Sequence, residues 1–144
     1  MNTIDGGGLD RFILAQKRDF ETALTEISNG RKRTHWMWYI FPQIQGLGFS
    51  DTAKYYGIKD LSEAGDYYIH PVLGQRLIKI TRELLNHKDK SAHDIFGTPD
   101  DLKLRSSMTL FAALQGADPV FQQVIDHFFN GEKDEKTQRI ISIS

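Results

Sequence analysis

The sequence predicts an all-α protein, and three observations carry that expectation. Helix-capping signatures recur along the chain, with Ser, Thr or Asp ahead of apolar residues spaced three and four apart and Gly behind them. No run of β-branched residues alternates with polar ones for long enough to outvote these signals. At 144 residues and 40% apolar content, the chain has one domain's length and can bury enough surface to fold without staples. The expected architecture is a compact single-domain fold of seven or eight short to medium helices over residues 10–144, behind a flexible lead-in at 1–9.

Each element has its own signal. Gly6-Gly7-Gly8 opposes helix formation in the lead-in. Asp10 is the expected N-cap of a first helix with the apolar stripe Ile13, Phe20, Leu24 and Ile27, ended by Gly30. Thr34 is placed to cap a short turn that reaches Ile40 and stops before Pro42. Residues 50–56 and 61–69 read as short helices, the second capped by Asp60 with Glu63 in the capping-box position. Pro71 opens the clearest helix, with Leu73, Leu77, Ile80 and Leu84 on one face and His70 supporting its entry. Ser91 and Asp94 repeat the capping box before Gly97. Thr98-Pro99-Asp100-Asp101 starts a helix that ends at Gly116, its two acids set against the positive end of the dipole. Asp118-Pro119 opens the next, burying Phe121, Val124, Ile125 and Phe128, and residues 134–141 supply a last turn or two. The helices at 71–85 and 99–115 have the longest apolar faces and are expected to be the central packing pair.

Composition narrows the function. Eighteen basic against nineteen acidic residues give a net charge of −1, so no global field draws the protein to nucleic acid or to a membrane. The absence of cysteine excludes disulfides, thiolate metal sites and a thiol nucleophile, and fits a reducing, cytoplasmic setting. No apolar run approaches a membrane span, and the first 20 residues lack the apolar block of a signal peptide. His35, His70, His87, His93 and His127 follow no metal-ligand spacing, so no metal is expected, and no cofactor is singled out.

The least ordinary stretch is residues 30–43. Arg31-Lys32-Arg33 precede a helix start, where backbone N–H groups and guanidinium forks together suit an anion, most naturally phosphate. Trp36, Trp38, Tyr39 and Phe41 follow, offering faces on which a ring can stack. A charge run is also the usual composition of a solvated turn, and tryptophans are usual core anchors. Residues two apart on a helix diverge by about 200°, so one tryptophan is expected in the core and the other at a pocket or interface. His35, beside the cations, is disfavoured as a cation and is the candidate acid or base. Gly46-Leu47-Gly48 lacks the preceding strand of a dinucleotide fingerprint and is not read as one. The helix at 98–115 carries Ser106, Ser107 and Thr109 at positions poor for helix propensity, which calls for tight packing or ligand contact, while Asp101 and Arg105 are spaced to pair. Gln16 interrupts the apolar stripe of the first helix, and a buried amide there needs a partner.

The runs His35-Trp36-Met37-Trp38, Phe41-Pro42-Gln43, Gly46-Leu47-Gly48, His70-Pro71-Val72-Leu73-Gly74, Ile95-Phe96-Gly97 and 101–111 resemble the mainly bacterial family known as domain of unknown function 1810. The resemblance spans Arg11 to Asp134. It implies a mainly α-helical fold and brings no reaction, substrate or catalytic residue. Some members carry the label calpastatin, but a compact helical chain without inhibitory repeats lacks the physics of a disordered protease inhibitor. The polar positions of the family's runs are Gln16, Lys32, His35, Gln43, His70, Arg76, Lys103, Arg105 and Ser107.

These residues outline the expected function, a pocket for a small phosphate-bearing or nucleotide-like ligand. Lys32, Arg76, Lys103 and Arg105 would hold charge, Trp36 and Trp38 would wall the ring, and Gln16, Gln43 and Ser107 would supply polar contacts. His35, with Lys32 or Arg33, is then expected near Arg105 and Ser107. Whether such a pocket does chemistry is left open. The alternative is a protein-interaction module that uses the aromatic segment 36–41 as its anchor. Near-neutral charge and the lack of a second basic stripe argue against nucleic acid.

Overall fold

The computed structural model describes residues 4–142, with side chains over 8–142. Among the described residues the protein is all-α. The described residues form nine helices: α1 (Ile4–Ser28), α2 (Met37–Ile40), α3 (Asp51–Tyr56), α4 (Leu61–Ile69), α5 (Leu73–Leu84), α6 (Ala92–Phe96), α7 (Asp100–Ala112), α8 (Val120–Phe129) and α9 (Glu135–Ser142). An isolated parallel bridge joins Ile44 to Ile58. The count exceeds seven or eight because both the single turn α2 and the terminal α9 form.

One apolar cluster runs through the molecule. Helix α8 packs against both α7 and α5, and α5 packs in turn against α1. Helix α4 lies on α5 and α7, α6 and α9 flank α7, and α2 links α1 to α3. The expected pairing of α5 with α7 is therefore replaced by α8, whose Val120, Phe121, Val124 and Ile125 are buried. The short helix has the more apolar face, and burial follows area removed from water rather than helix length.

Several caps fall where the sequence places them. The Ser50 and Asp60 side chains accept from the backbone N–H of Ala53 and Glu63, and Ser91 with Asp94 completes a capping box. Glu63 does not return to the Asp60 N–H, accepting instead from Lys59 N at 2.8 Å. His70 caps α5 directly: its Nδ1 accepts from Val72 N and Leu73 N, and the helix begins at Leu73 rather than Pro71. Thr98 does not cap α7, which starts at Asp100, and its hydroxyl lies 3.0 Å from His93 Nδ1 instead.

The start of α1 departs most from expectation. Residues 1–3 of the expected lead-in lie outside the described residues, but Ile4–Leu9 continue α1, so Asp10 lies inside the helix instead of capping it. A tertiary clamp offsets the poor propensity of the glycines. The Arg11 guanidinium donates to the carbonyls of Gly8 and Gly57 and pairs with Glu63 at 3.3 Å. A second close approach fixes the α4–α5 corner. At Gly74 a Cβ would lie 1.9 Å from the Tyr68 carbonyl oxygen, so only glycine fits.

Candidate functional site: a cleft beside Trp38

The buried stripe of α1 includes Phe12, Gln16, Phe20, Ala23, Glu26 and Ile27, so two of its inward positions are polar. Glu26 organises the segment that follows. Its carboxylate, 8% exposed, accepts from Arg33 N (2.7 Å), Thr34 N (3.0 Å), Thr34 Oγ1 (2.8 Å) and Trp36 Nε1 (2.9 Å). Burial alone would raise its pKa, but these four hydrogen bonds to the charged form outweigh burial and hold it below the usual carboxylate range. Thr34 is thus a ligand of Glu26 rather than a helix cap, and α2 starts three residues later, at Met37.

This arrangement separates the tryptophans, although Trp36 lies just ahead of α2 and only Trp38 is on it. Trp36 is 1% exposed, bonded to Glu26 and packed on Phe41 and Phe96, so it belongs to the core and is closed to a ligand. Trp38 is half-buried and forms one wall of an open cleft of about 370 Å³ between the segment around Gln43–Ala53 and the start of α7. Gln43, Lys103 and Ser106 also line it, and exposed Phe49 and Leu102 stand at its edge. Backbone hydrogen bonds Gln45 N to Ile58 O (2.8 Å) and Ile58 N to Gln43 O (2.9 Å) hold the Gln43 wall in place. Among the described residues the Gln43 carboxamide has no hydrogen-bond partner, whereas Ser106 Oγ is spent on Leu102 O at 3.2 Å.

Two lysines meet here around one carboxylate. Asp100 bonds Lys32 Nζ at 2.9 Å through one oxygen and Lys103 Nζ at 3.3 Å through the other. Each ammonium also sits on an indole, Lys32 5.0 Å from the Trp36 centroid and Lys103 4.6 Å from that of Trp38. The lysines are not equivalent. Lys32, with a side chain 8% exposed, gives another bond to Thr34 O at 2.6 Å and is an internal post. Lys103, 25% exposed, reaches the cleft.

The remaining expected residues are placed elsewhere. Gln16 is buried and donates to Tyr39 O (2.7 Å) and Tyr67 Oη (2.8 Å), with Arg76 reaching its carbonyl at 3.5 Å from over the Phe20 ring. Alongside it, Tyr39 donates to Asp19. Burial first, then the Asp19 carboxylate, push the Tyr39 pKa up to about 12. Arg105 lies two residues from Lys103 and so points away from it, over Phe129 and 4.0 Å from Asp134. The expected Asp101–Arg105 pair does not form, since Asp101 faces His93 at 3.8 Å. Ser107 is fully buried with its hydroxyl unpartnered among the described residues, so the small side chain serves helix packing. His35 is exposed, engages only its backbone carbonyl, with Tyr39, and does not line the cleft. The structure therefore brings together Trp38, Gln43 and Lys103, groups Gln16 with Arg76, and sends Arg105 and Ser107 elsewhere. Asp100 and Glu26 were missed as site-shaping residues. Asp100 reads in sequence as a dipole acid, but Glu26 left a signal, as a carboxylate on the apolar stripe beside Ile27.

A larger depression of about 580 Å³ follows the outer face of α5 near Gln75, Lys79 and Glu83. It has no aromatic wall, and its long polar side chains are crossed by the Arg82–Asp118 pair at 2.8 Å, so the smaller cleft is the better-built site. Among the described residues no helix is long and apolar enough to cross a membrane, and no group of three or more His, Asp or Glu is placed to hold a metal ion.

Comparison with known proteins agrees with this architecture. No curated protein matches the chain. The crystal structure of the conserved hypothetical protein Rv1873 from Mycobacterium tuberculosis is 41% identical, superposes with a TM-score of 0.93, and is matched over 97% of this chain and 100% of its own. The sequence pattern of the protein family of unknown function DUF1810 matches residues 7–141. With the pattern covering nearly all of the chain and the helices superposing on those of a 41% identical relative, the chain belongs to the DUF1810 family.

Proposed function

We propose that the Trp38 cleft binds a small nucleotide-like ligand carrying one phosphate. The observation that carries this reading is the meeting of Trp38, Gln43 and Lys103, drawn from two distant parts of the chain, in one concavity. Each supplies a different element of recognition. Trp38 offers an indole to a planar ring once Lys103 moves from over it to the phosphate, a stack worth about 1–3 kcal/mol per base. The unpartnered Gln43 amide offers both donor and acceptor to a base edge. Lys103 supplies a cation for phosphate. A volume of about 370 Å³ sits at the small end of ligand sites, and a lining with one cation, Lys103, favours one phosphate over several.

The test is a thermal-shift and calorimetric panel of nucleosides, nucleoside monophosphates and inorganic phosphate, since a ligand of the native state raises its apparent stability. A monophosphate is expected to bind best, with Trp38→Ala and Lys103→Met each weakening it about tenfold or more. Binding that ignores both substitutions, or no binding across the panel, would reject the reading. A second reading has its own observation: Phe49 and Leu102, 76% and 48% exposed, make an apolar rim suited to a partner protein's side chain. Under that reading Phe49→Asp abolishes capture of the partner, while the small-molecule panel stays silent.

A further inference from the structure

The indole that faces the Trp38 cleft is not bare. Lys103 Nζ lies over it, 4.6 Å from the ring centroid, and the same ammonium pairs with Asp100 at 3.3 Å. Trp38 and Lys103 both line the cleft, so the lysine stands where a planar ring would stack. We propose that Lys103 determines the specificity of this cleft, an inference that rests on the ligand reading above: it covers the stacking face until the phosphate of a ligand draws it away, and so turns aside rings that carry no anion.

The cover is held at two points. Asp100 lies one turn before Lys103 on α7, so carboxylate and ammonium meet on one helix face and no loop has to move. The indole is the second point, through an attraction that a neutral ring must displace before it stacks. The Lys103 side chain is 25% exposed, against 8% for Lys32, so an incoming anion reaches it from solvent. The other space against the indole gives a ring no way round. It is a recess of about 10 Å³ beside Ile44, Gly46, Tyr56 and Gly57, with room for one water at most.

A neutral ring therefore gains its stack only by giving up the contact between lysine and indole. A monophosphate offers the ammonium a new partner and opens the face in the same step. A plain cationic contact behaves differently, because it adds affinity for phosphate and leaves the bare ring unaffected.

The test compares adenosine, guanosine, cytidine and uridine with their 5′-monophosphates by calorimetry, on the native chain and on Lys103→Ala. Acrylamide quenching of tryptophan lifetimes is measured beside it without ligand. Alanine suits the helix and, unlike methionine, has no thioether to lie on the indole in the lysine's place. Acrylamide is uncharged, so losing the ammonium does not itself change the encounter, and Trp36, 1% exposed, is out of its reach. In Lys103→Ala the quenching of Trp38 should rise. At least one nucleoside should bind about threefold tighter or more, while its monophosphate binds more weakly. Lys103→Arg, whose guanidinium also stacks on an indole, should keep the native preference for the monophosphate. Unchanged quenching overturns the proposal. Monophosphate binding without any gain for a nucleoside in Lys103→Ala rejects this proposal alone, whereas binding of neither ligand class to either protein rejects the cleft reading and this proposal with it.

Discussion

Replacing Glu26 by Gln removes one charge and keeps the shape of the side chain. In the native state this carboxylate gathers four donors, three of them N–H groups, at 2.7–3.0 Å. Hydrogen bonds to a charged acceptor contribute about 1.5–3 kcal/mol and neutral ones about 0.5–1.5 kcal/mol. If the amide oxygen keeps the three N–H donors, each bond loses roughly 1 kcal/mol, so the variant should be about 2–3 kcal/mol less stable. Thr34 Oγ1 can reverse its role and accept from the new amide, which adds little. The pH dependence has a definite sign. A carboxyl whose folded pKa lies below its ordinary value of 4.5 stabilises the fold above that value and loses the contribution as pH falls through the folded pKa. Urea unfolding, followed by the fluorescence of buried Trp36, measures both effects. At pH 7 the midpoint should drop, and as pH falls from 4.5 through the lowered folded pKa the native protein and Glu26→Gln should converge as the native carboxyl protonates. A difference under 0.5 kcal/mol at pH 7, or one that persists unchanged into acid, would refute the account of this carboxylate.

Three further substitutions test the packing. Gly74→Ala puts a methyl group 1.9 Å from the Tyr68 carbonyl oxygen, a backbone atom that cannot turn aside. A loss of about 3 kcal/mol or more, or failure to fold, is expected from denaturation curves, and tolerance would mean the α4–α5 corner is looser than described. Leu77→Ala, at a site 1% exposed, should cost about 2–5 kcal/mol, whereas Leu14→Ala, at 69% exposure, should stay within about 0.5 kcal/mol. Equal effects at the two sites would show that the buried faces are misassigned.

The helices were legible because capping and periodicity are local. Ser50, Asp60 and the Ser91–Asp94 box act within one turn of themselves, so their residue types reveal them. The start of α1 was not legible, because the Arg11 clamp draws on Gly57 and Glu63, some fifty residues away. The site shows the same divide. Trp36 and Trp38 do part into core and cleft wall as expected, but Trp36 precedes α2 and is held inward by Glu26, a partner the helical angle does not include. Grouping every motif cation into one pocket failed because Lys103 and Arg105 leave α7 in opposed directions, and because Lys32 is neutralised by a carboxylate that looked like part of a helix start. Polar residues cluster in sequence for several reasons at once, and only their partners show which reason applies.

The carboxylate between the two lysines has a consequence for how the Trp38 cleft can respond to an anion. If Lys103 swings from Asp100 toward a phosphate, Asp100 keeps Lys32 at 2.9 Å, so no charge is left stranded and the movement is an exchange of partners rather than a rupture. The reverse does not hold. Lys32, with a side chain 8% exposed and bonded to Thr34 O, would lose its only carboxylate partner among the described residues if Asp100 were lost. One lysine is therefore a fixed post and the other a detachable arm, and a carboxylate shared by both lets the arm reach out without loosening the ground it stands on.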